Sequence, residues 1–229
     1  MTTPSEVRVW DPLIRVFHWA TVTLCLLNFF ILEEGSKPHK YAGYAVGILL
    51  IIRLLWGIVG PHYARFGQWW PTPARIRYYL RQLAQGRHPY YLGHNPVGAL
   101  MIWLLLLSLV GTVVTGWLTT WDAFWGEDWL EELHEVVANT LMAAVGVHAA
   151  VVILTDRLTR SDLVRAMVLG NTRVPADAKV EVPRSELPGR PRPRFFAAMA
   201  RDTGKMHRHA PVLTITTAPR YLLLPVTSP

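Results

Sequence analysis

Four stretches of nearly continuous apolar residues set the pattern of this chain, at residues 13–32, 41–59, 97–117 and 134–154. Within each, apolar positions follow one another without amphipathic spacing, which predicts helices that are apolar on every side. About 20 such residues cross the roughly 30 Å hydrocarbon core of a bilayer. The pattern therefore predicts an all-α integral membrane protein built as a four-helix bundle. The first stretch does not read as a cleaved leader. Trp10, Asp11, Arg15, His18 and Asn28 precede or interrupt it, and Leu32 runs into Glu33 and Glu34 without a small-residue cleavage site.

Between the second and third stretches, Thr72 to Leu83 carries a capping residue, a proline at the first helical position and apolar residues at Ile76, Tyr79, Leu80 and Leu83. This predicts a short amphipathic helix, lying on the inner leaflet or serving as a solvated connector. After Gly170 the pattern stops. Pro175, Pro183, Pro188, Pro191, Pro193, Pro211, Pro219 and Pro225 are scattered among arginines, and such a segment buries too little apolar surface to offset its ordering entropy. Residues 174–229 are expected to form a largely disordered cytoplasmic tail. Its Leu222-Leu223-Leu224 run is too short to span, and His207 and His209 are not membrane ligands.

The chain has 23 Lys and Arg against 16 Asp and Glu, and the placement of the basic residues matters more than their excess. Arg8 and Arg15 precede or open the first span, Arg65, Arg75, Arg77, Arg81 and Arg87 lie between the second and third, and Arg157, Arg160 and Arg165 follow the fourth. The other two loops hold only Lys37 and Lys40. The positive-inside rule puts both termini and the long loop in the cytoplasm. Basic charge thus reports topology, and no nucleic-acid partner is implied. The one cysteine, Cys25, lies mid-span and reads as a packing residue.

Ionisable side chains in hydrocarbon are costly and mark function by default. His18 lies near the inner end of the first span and His39 near the outer end of the second. His134 opens the fourth span at the outer side, and His148 follows fourteen residues later, about 21 Å deeper and on the same helix side. The depths pair His39 with His134 and His18 with His148. Two imidazoles facing each other across a bundle suit the axial positions of a haem iron. A closed zinc site would instead need four ligands at one place.

Gly43 and Gly47 clear the face below His39, while Ala138 and Ala144 lie one turn from His134 and His148. Small residues there leave room for a macrocycle or serve close helix packing. Arg53, fourteen residues after His39 on the same face, is placed to pair with haem propionates or to snorkel to headgroups. In the outer 3–4 loop Trp121, Trp125 and Trp129 recur every four residues. A helix there would lay an aromatic stripe at the interface, with Asp122, Glu127, Asp128, Glu131 and Glu132 facing water as a membrane anchor or as a docking surface for a basic partner.

Several of these segments together resemble the bacterial cytochrome b561 group, which includes cytochrome b subunits of nickel-iron hydrogenases. They are Val7–Pro12 with Arg15–Trp19, His39–Tyr44, Arg53–Gly57, Tyr91-Leu92-Gly93-His94-Asn95-Pro96, and Leu133-His134-Glu135 through His148 to Met167. The resemblance covers residues 7–173. It implies a bacterial inner-membrane bundle with two b haems held by His18, His39, His134 and His148, moving electrons between the quinone pool and another redox protein such as a c-type cytochrome. His94 reads as a capping or loop-fixing residue, and His62 and His88 as loop residues.

Three roles stay open: a di-haem carrier, alone or as a homodimer; a membrane-anchor relay subunit of a hydrogenase or other dehydrogenase; and a superoxide:quinone oxidoreductase. No catalytic triad, phosphate loop or paired acid and base is visible, so no chemistry on a substrate carbon is expected.

Overall fold

The computed structural model describes residues 5–87, 89–91, 93–124, 126–159, 162–174, 180–181 and 223–224. His88, Leu92, Trp125, Arg160 and nearly all of the expected tail, including His207 and His209, lie outside the described residues. In chain order the elements are β1 (Ser5–Arg8), α1 (Pro12–Phe30), α2 (Lys37–Val59), α3 (Pro73–Ala84), β2 (Tyr90–Tyr91), α4 (Pro96–Leu118), α5 (Asp128–Thr159), α6 (Leu163–Leu169), β3 (Asn171–Val174), β4 (Val180–Glu181) and β5 (Leu223–Leu224). The helices α1, α2, α4 and α5 are long and apolar enough to cross a membrane. The protein is a multi-pass membrane protein. Ile48, Ile51, Leu55, Val147 and Ile153 are exposed on the outside of the helices, an aggregation hazard in water and the ordinary surface in lipid.

One punctuation recurs where α1 to α4 begin. Asp11, Ser36, Thr72 and Asn95 cap them with side-chain oxygens, and Pro12, Pro38, Pro73 and Pro96 follow within two residues. The cap satisfies orphan backbone N–H groups, and the proline supplies helical φ where no donor is needed. Asp11 does more than cap. Its carboxylate accepts from the backbone of Leu13 and Ile14 at 3.0 and 3.1 Å and from the Trp56 indole of α2 at 3.3 Å, fixing the start of α1 against α2.

The bundle core is a seam of Val46 and Leu50 from α2, Leu106 and Leu109 from α4, and Leu141 from α5, with Phe17, Leu24 and Cys25 of α1 packed on it. Cys25 thus takes the packing role expected of it. The extensive helix contacts run α1 to α2, α2 to α4 and α4 to α5. Among the described residues, α5 approaches α1 and α2 only sparsely.

The end of the bundle where α1 begins and α5 ends, here the terminal end, is closed by structure the hydrophobic pattern did not announce. β1 pairs antiparallel with β3, joining Ser5 to Val174 and Arg8 to Asn171 in register. Gly170, at φ +90°, offers its carbonyl to the backbone N–H groups of both Val9 and Trp10 at 3.0 Å. A Cβ on Gly170 would lie 2.8 Å from the Trp10 carbonyl oxygen, so only glycine fits. The Arg15 guanidinium and the Trp19 indole donate to the carbonyls of Val168 and Met167. Val9, Trp10, Ile14, Ala64 and Ala166 form a second core there.

Two expectations change. The fourth span, expected at 134–154, is only the centre of α5, whose 32 residues make it about 48 Å long at 1.5 Å per residue. Asp128, Glu131 and Glu132 at one end and Asp156 and Arg157 at the other carry it beyond the apolar layer. The tryptophan stripe does not lie on one helix either. A 3-10 turn over Asp122–Phe124 and Gly126 at φ +79° separate Trp121 from Trp129. Phe124 bridges the two instead, at 6.4 and 6.3 Å between ring centres.

Replacing Asp11 with Ala removes a cap and the acceptor of Trp56, and should cost about 1–3 kcal/mol of stability. Asp11→Asn, which keeps an accepting oxygen, should recover most of it. Thermal unfolding in detergent checks this, and Asp11→Ala melting with the wild type would contradict it.

Candidate functional site

The hydroxyl of Ser36 accepts from the backbone N–H of His39 at 3.3 Å, so the α2 cap sets the position of His39 in the first turn. From there the imidazole faces His134 of α5, with ring centres 6.3 Å apart and planes at 78°. Two imidazole nitrogens on one metal at about 2.0–2.1 Å each, plus about 1 Å from nitrogen to ring centre on either side, give roughly 6 Å. The pair is thus spaced as two axial ligands of one iron would be. It also bridges α2 and α5, the helices whose backbones stay apart.

The space around the pair is uneven. A Cβ at Gly43 would meet nothing within 4 Å, leaving room beside His39, whereas at Gly47 it would meet Val113 at 3.2 Å. Gly43 therefore fits a clearance role and Gly47 a helix-packing one. Ala144 is buried and Ala138 half-buried. On α4, which carries no histidine, the Thr115 hydroxyl lies 3.0 Å from Nδ1 of His134. A Cβ at Gly116 would lie 2.8 Å from Cε1 of the same ring. Neither residue stood out in the sequence. The signal available was a threonine-glycine step in an apolar run at the depth of His134.

Toward the terminal end, His18 of α1 and His148 of α5 are close enough for their charges to interact. Both rings are half-buried, and Nδ1 of His18 has no hydrogen-bond partner. Among the described residues no three His, Cys, Asp or Glu side chains converge; the histidines come in twos. Arg53 is 5 % exposed, sits 4.5 Å over the Phe66 ring and leaves one guanidinium nitrogen unpartnered. It points into the protein and not out to headgroups. Asp11 offsets part of its charge, and the orphaned donor fits an anionic group from a cofactor.

His94 lies between Trp10 and Trp69, with ring centres 4.7 and 4.9 Å away. Burial first, then the charges of Arg53 and His148, push its imidazole down to about 3. Its role is to wedge the loop before α4. The capping belongs to Asn95, whose side chain accepts from Gly98 at 2.7 Å. His62 lies in the 3-10 turn His62–Ala64 with its ring against Tyr63. At the opposite end of the bundle Asp122, Glu127, Asp128, Glu131 and Glu132 are exposed, and Glu34 bears electrostatically on His134.

A four-span membrane bundle in which His39 and His134 approach each other across separated helices is of the kind that membrane cytochromes use. The chain belongs to the prokaryotic cytochrome b561 family, which it matches over residues 9–170. It is similar to a protein of Azotobacter vinelandii named "Probable Ni/Fe-hydrogenase B-type cytochrome subunit", at 25 % identity over 72 % of this chain and 88 % of that one. Proteins of the same name from Azotobacter chroococcum mcd 1 and Rhizobium leguminosarum bv. viciae are 25 % and 22 % identical over the same shares. No solved structure matches the chain. The protein is a membrane b-type cytochrome with an electron-transfer role, carrying haem b.

The depressed His94 has a consequence in acid. Below its ordinary 6.5 and down to about 3, the unfolded chain binds a proton that the folded chain refuses, so stability is full above that window and falls as pH drops through it. The slope from one proton is at most about 1.4 kcal/mol per pH unit. Thermal melts at pH 7 and 5 should show His94→Gln losing less on acidification than the wild type. Equal losses would contradict this.

Proposed function

We propose that the chain holds two b haems, one between His39 and His134 and one between His18 and His148, and relays electrons between the quinone pool and a redox partner. The observation that carries this reading is the 6.3 Å spacing of the His39 and His134 rings across helices that are otherwise apart. Haem b supplies reversible one-electron chemistry when bound. The chain supplies imidazole ligands, a dry core, clearance at Gly43, and at Arg53 a buried cation toward the propionates nearest the terminal end. Gly47 serves the packing of α2 on α4 through its contact with Val113.

The arrangement of basic residues supports a bacterial inner-membrane protein with the terminal end in the cytoplasm. The β1–β3 pairing holds residues 5–8 and 171–174 on one side of the bundle, as an even number of spans requires. His39 and His134 then face the outer side. The relatives' names favour a membrane subunit of a hydrogenase-type complex. The exposed carboxylates at the outer end suit a basic protein surface, such as that of a c-type cytochrome, and would repel superoxide.

The test is haem quantitation as the pyridine haemochrome on four variants. His39→Ala and His134→Ala should lose one haem, and His18→Ala and His148→Ala the other. Grouping of His18 with His134 would overturn the pairing. In the same series Arg53→Leu should keep both haems and lower the potential of the one held by His18 and His148, because the reduced, more negative state loses a nearby cation. A shift confined to the other haem, or none, would remove Arg53 from the site.

A further inference from the structure

The helix that carries no ligand makes the closest approach to one. Thr115 of α4 is 8 % exposed, and its hydroxyl has three neighbours: the Gly111 carbonyl at 2.8 Å, the Thr112 carbonyl at 3.3 Å and Nδ1 of His134 at 3.0 Å. A hydroxyl has one proton and two lone pairs. The shortest contact directs the proton back along α4 to Gly111, which leaves a lone pair for the imidazole. Nδ1 of His134 must then carry the hydrogen and donate. With Nδ1 protonated, Nε2 of the neutral ring is free to bind a metal.

Gly116 completes the arrangement. Its Cβ, if present, would lie 2.8 Å from Cε1 and 3.2 Å from Nδ1 of His134, so the ring rests on bare backbone one residue beyond the hydroxyl that orients it. Two of the other ligands lack this support, for Nδ1 of His18 and Nδ1 of His39 find no hydrogen-bond partner. Threonine back-bonding to its own helix is common in membranes and needs no further purpose. The imidazole contact requires more, because that geometry selects one tautomer of one ring.

We propose that Thr115 is a positioning residue for the haem between His39 and His134: its hydroxyl holds His134 as the Nδ1–H tautomer and, by accepting that hydrogen, makes Nε2 a stronger donor that favours oxidised iron. This rests on the reading of His134 as a haem ligand. Acceptors on the far nitrogen raise the basicity of a metal-bound imidazole and fix its orientation. The two haems would accordingly differ in potential through α4, with no difference in ligand type.

Thr115→Val removes the hydroxyl while keeping the shape, and Thr115→Ser keeps the hydroxyl. Redox titration and low-temperature EPR of the purified holoprotein are the readouts, with the His39/His134 haem assigned as the component lost in His134→Ala. In Thr115→Val that haem should become easier to reduce, by up to tenfold in the reduced-to-oxidised ratio at fixed potential, about 59 mV for one electron. Its EPR signal should change, and the other haem should not. Thr115→Ser should titrate as the wild type does. Loss of the haem in the Val variant with retention in the Ser variant would equally support the hydroxyl's role. Both haems present in Thr115→Val with unchanged potential and spectrum, or equal loss in both variants, would overturn it. Should His134→Ala itself keep both haems, the ligand reading fails and not merely the role of Thr115.

Discussion

Hydrocarbon offers a polar side chain no solvent partner, so each one placed there has to find its partner within the protein or bring one in. Four imidazoles and the buried guanidinium of Arg53 on membrane helices impose that condition here. It organises the bundle. α5 packs closely on α4 but stands off α1 and α2, the helices that carry His18 and His39. Direct helix packing would bury His18, His39, His134 and His148 without partners for their ring nitrogens. Separation leaves room for a flat metal-centred cofactor between the proposed pairs. The apolar seam of Val46, Leu50, Leu106, Leu109 and Leu141 then acts as a spacer that fixes where the gaps lie.

The ends of the helices carry the precision the apolar middle lacks. A run of leucine and isoleucine defines neither helix phase nor depth, but a side-chain cap defines both. Ser36 fixes the turn that holds His39, and Asp11 ties the start of α1 to Trp56 of α2 a turn below Arg53. At the terminal end the β1–β3 ribbon, the Gly170 carbonyl and the indole of Trp19 clasp α6 against α1. These contacts are local and strongly directional, as expected where backbone groups leave the helix and need partners.

How much was legible in the sequence follows from which forces write their pattern locally. The four spans were visible because membrane helices are apolar all round, and the amphipathic helix after Thr72 because its cap, proline and periodicity coincide. The pairing of His39 with His134 followed from 1.5 Å per residue and the distribution of arginines, and the 6.3 Å approach of the rings agrees with it. The ends of α5 were missed because the polar turns beyond the bilayer leave the apolar run while continuing the helix. The β1–β3 pairing joins segments more than 160 residues apart, and short edge strands carry little periodicity. Thr115 and Gly116 were hidden by ambiguity, since either residue in a membrane helix is ordinarily explained by packing. Their role depends on a neighbour from another helix.

One chain is proposed to hold two bis-imidazole haems. Haem b and protein quantified on the same purified sample, with an equilibrium redox titration followed by visible and EPR spectra, test it most directly. The account predicts two haems per chain, both low-spin with two axial nitrogen ligands, titrating as two one-electron components. One haem per chain, or a high-spin signal from an iron with an open axial position, would contradict it.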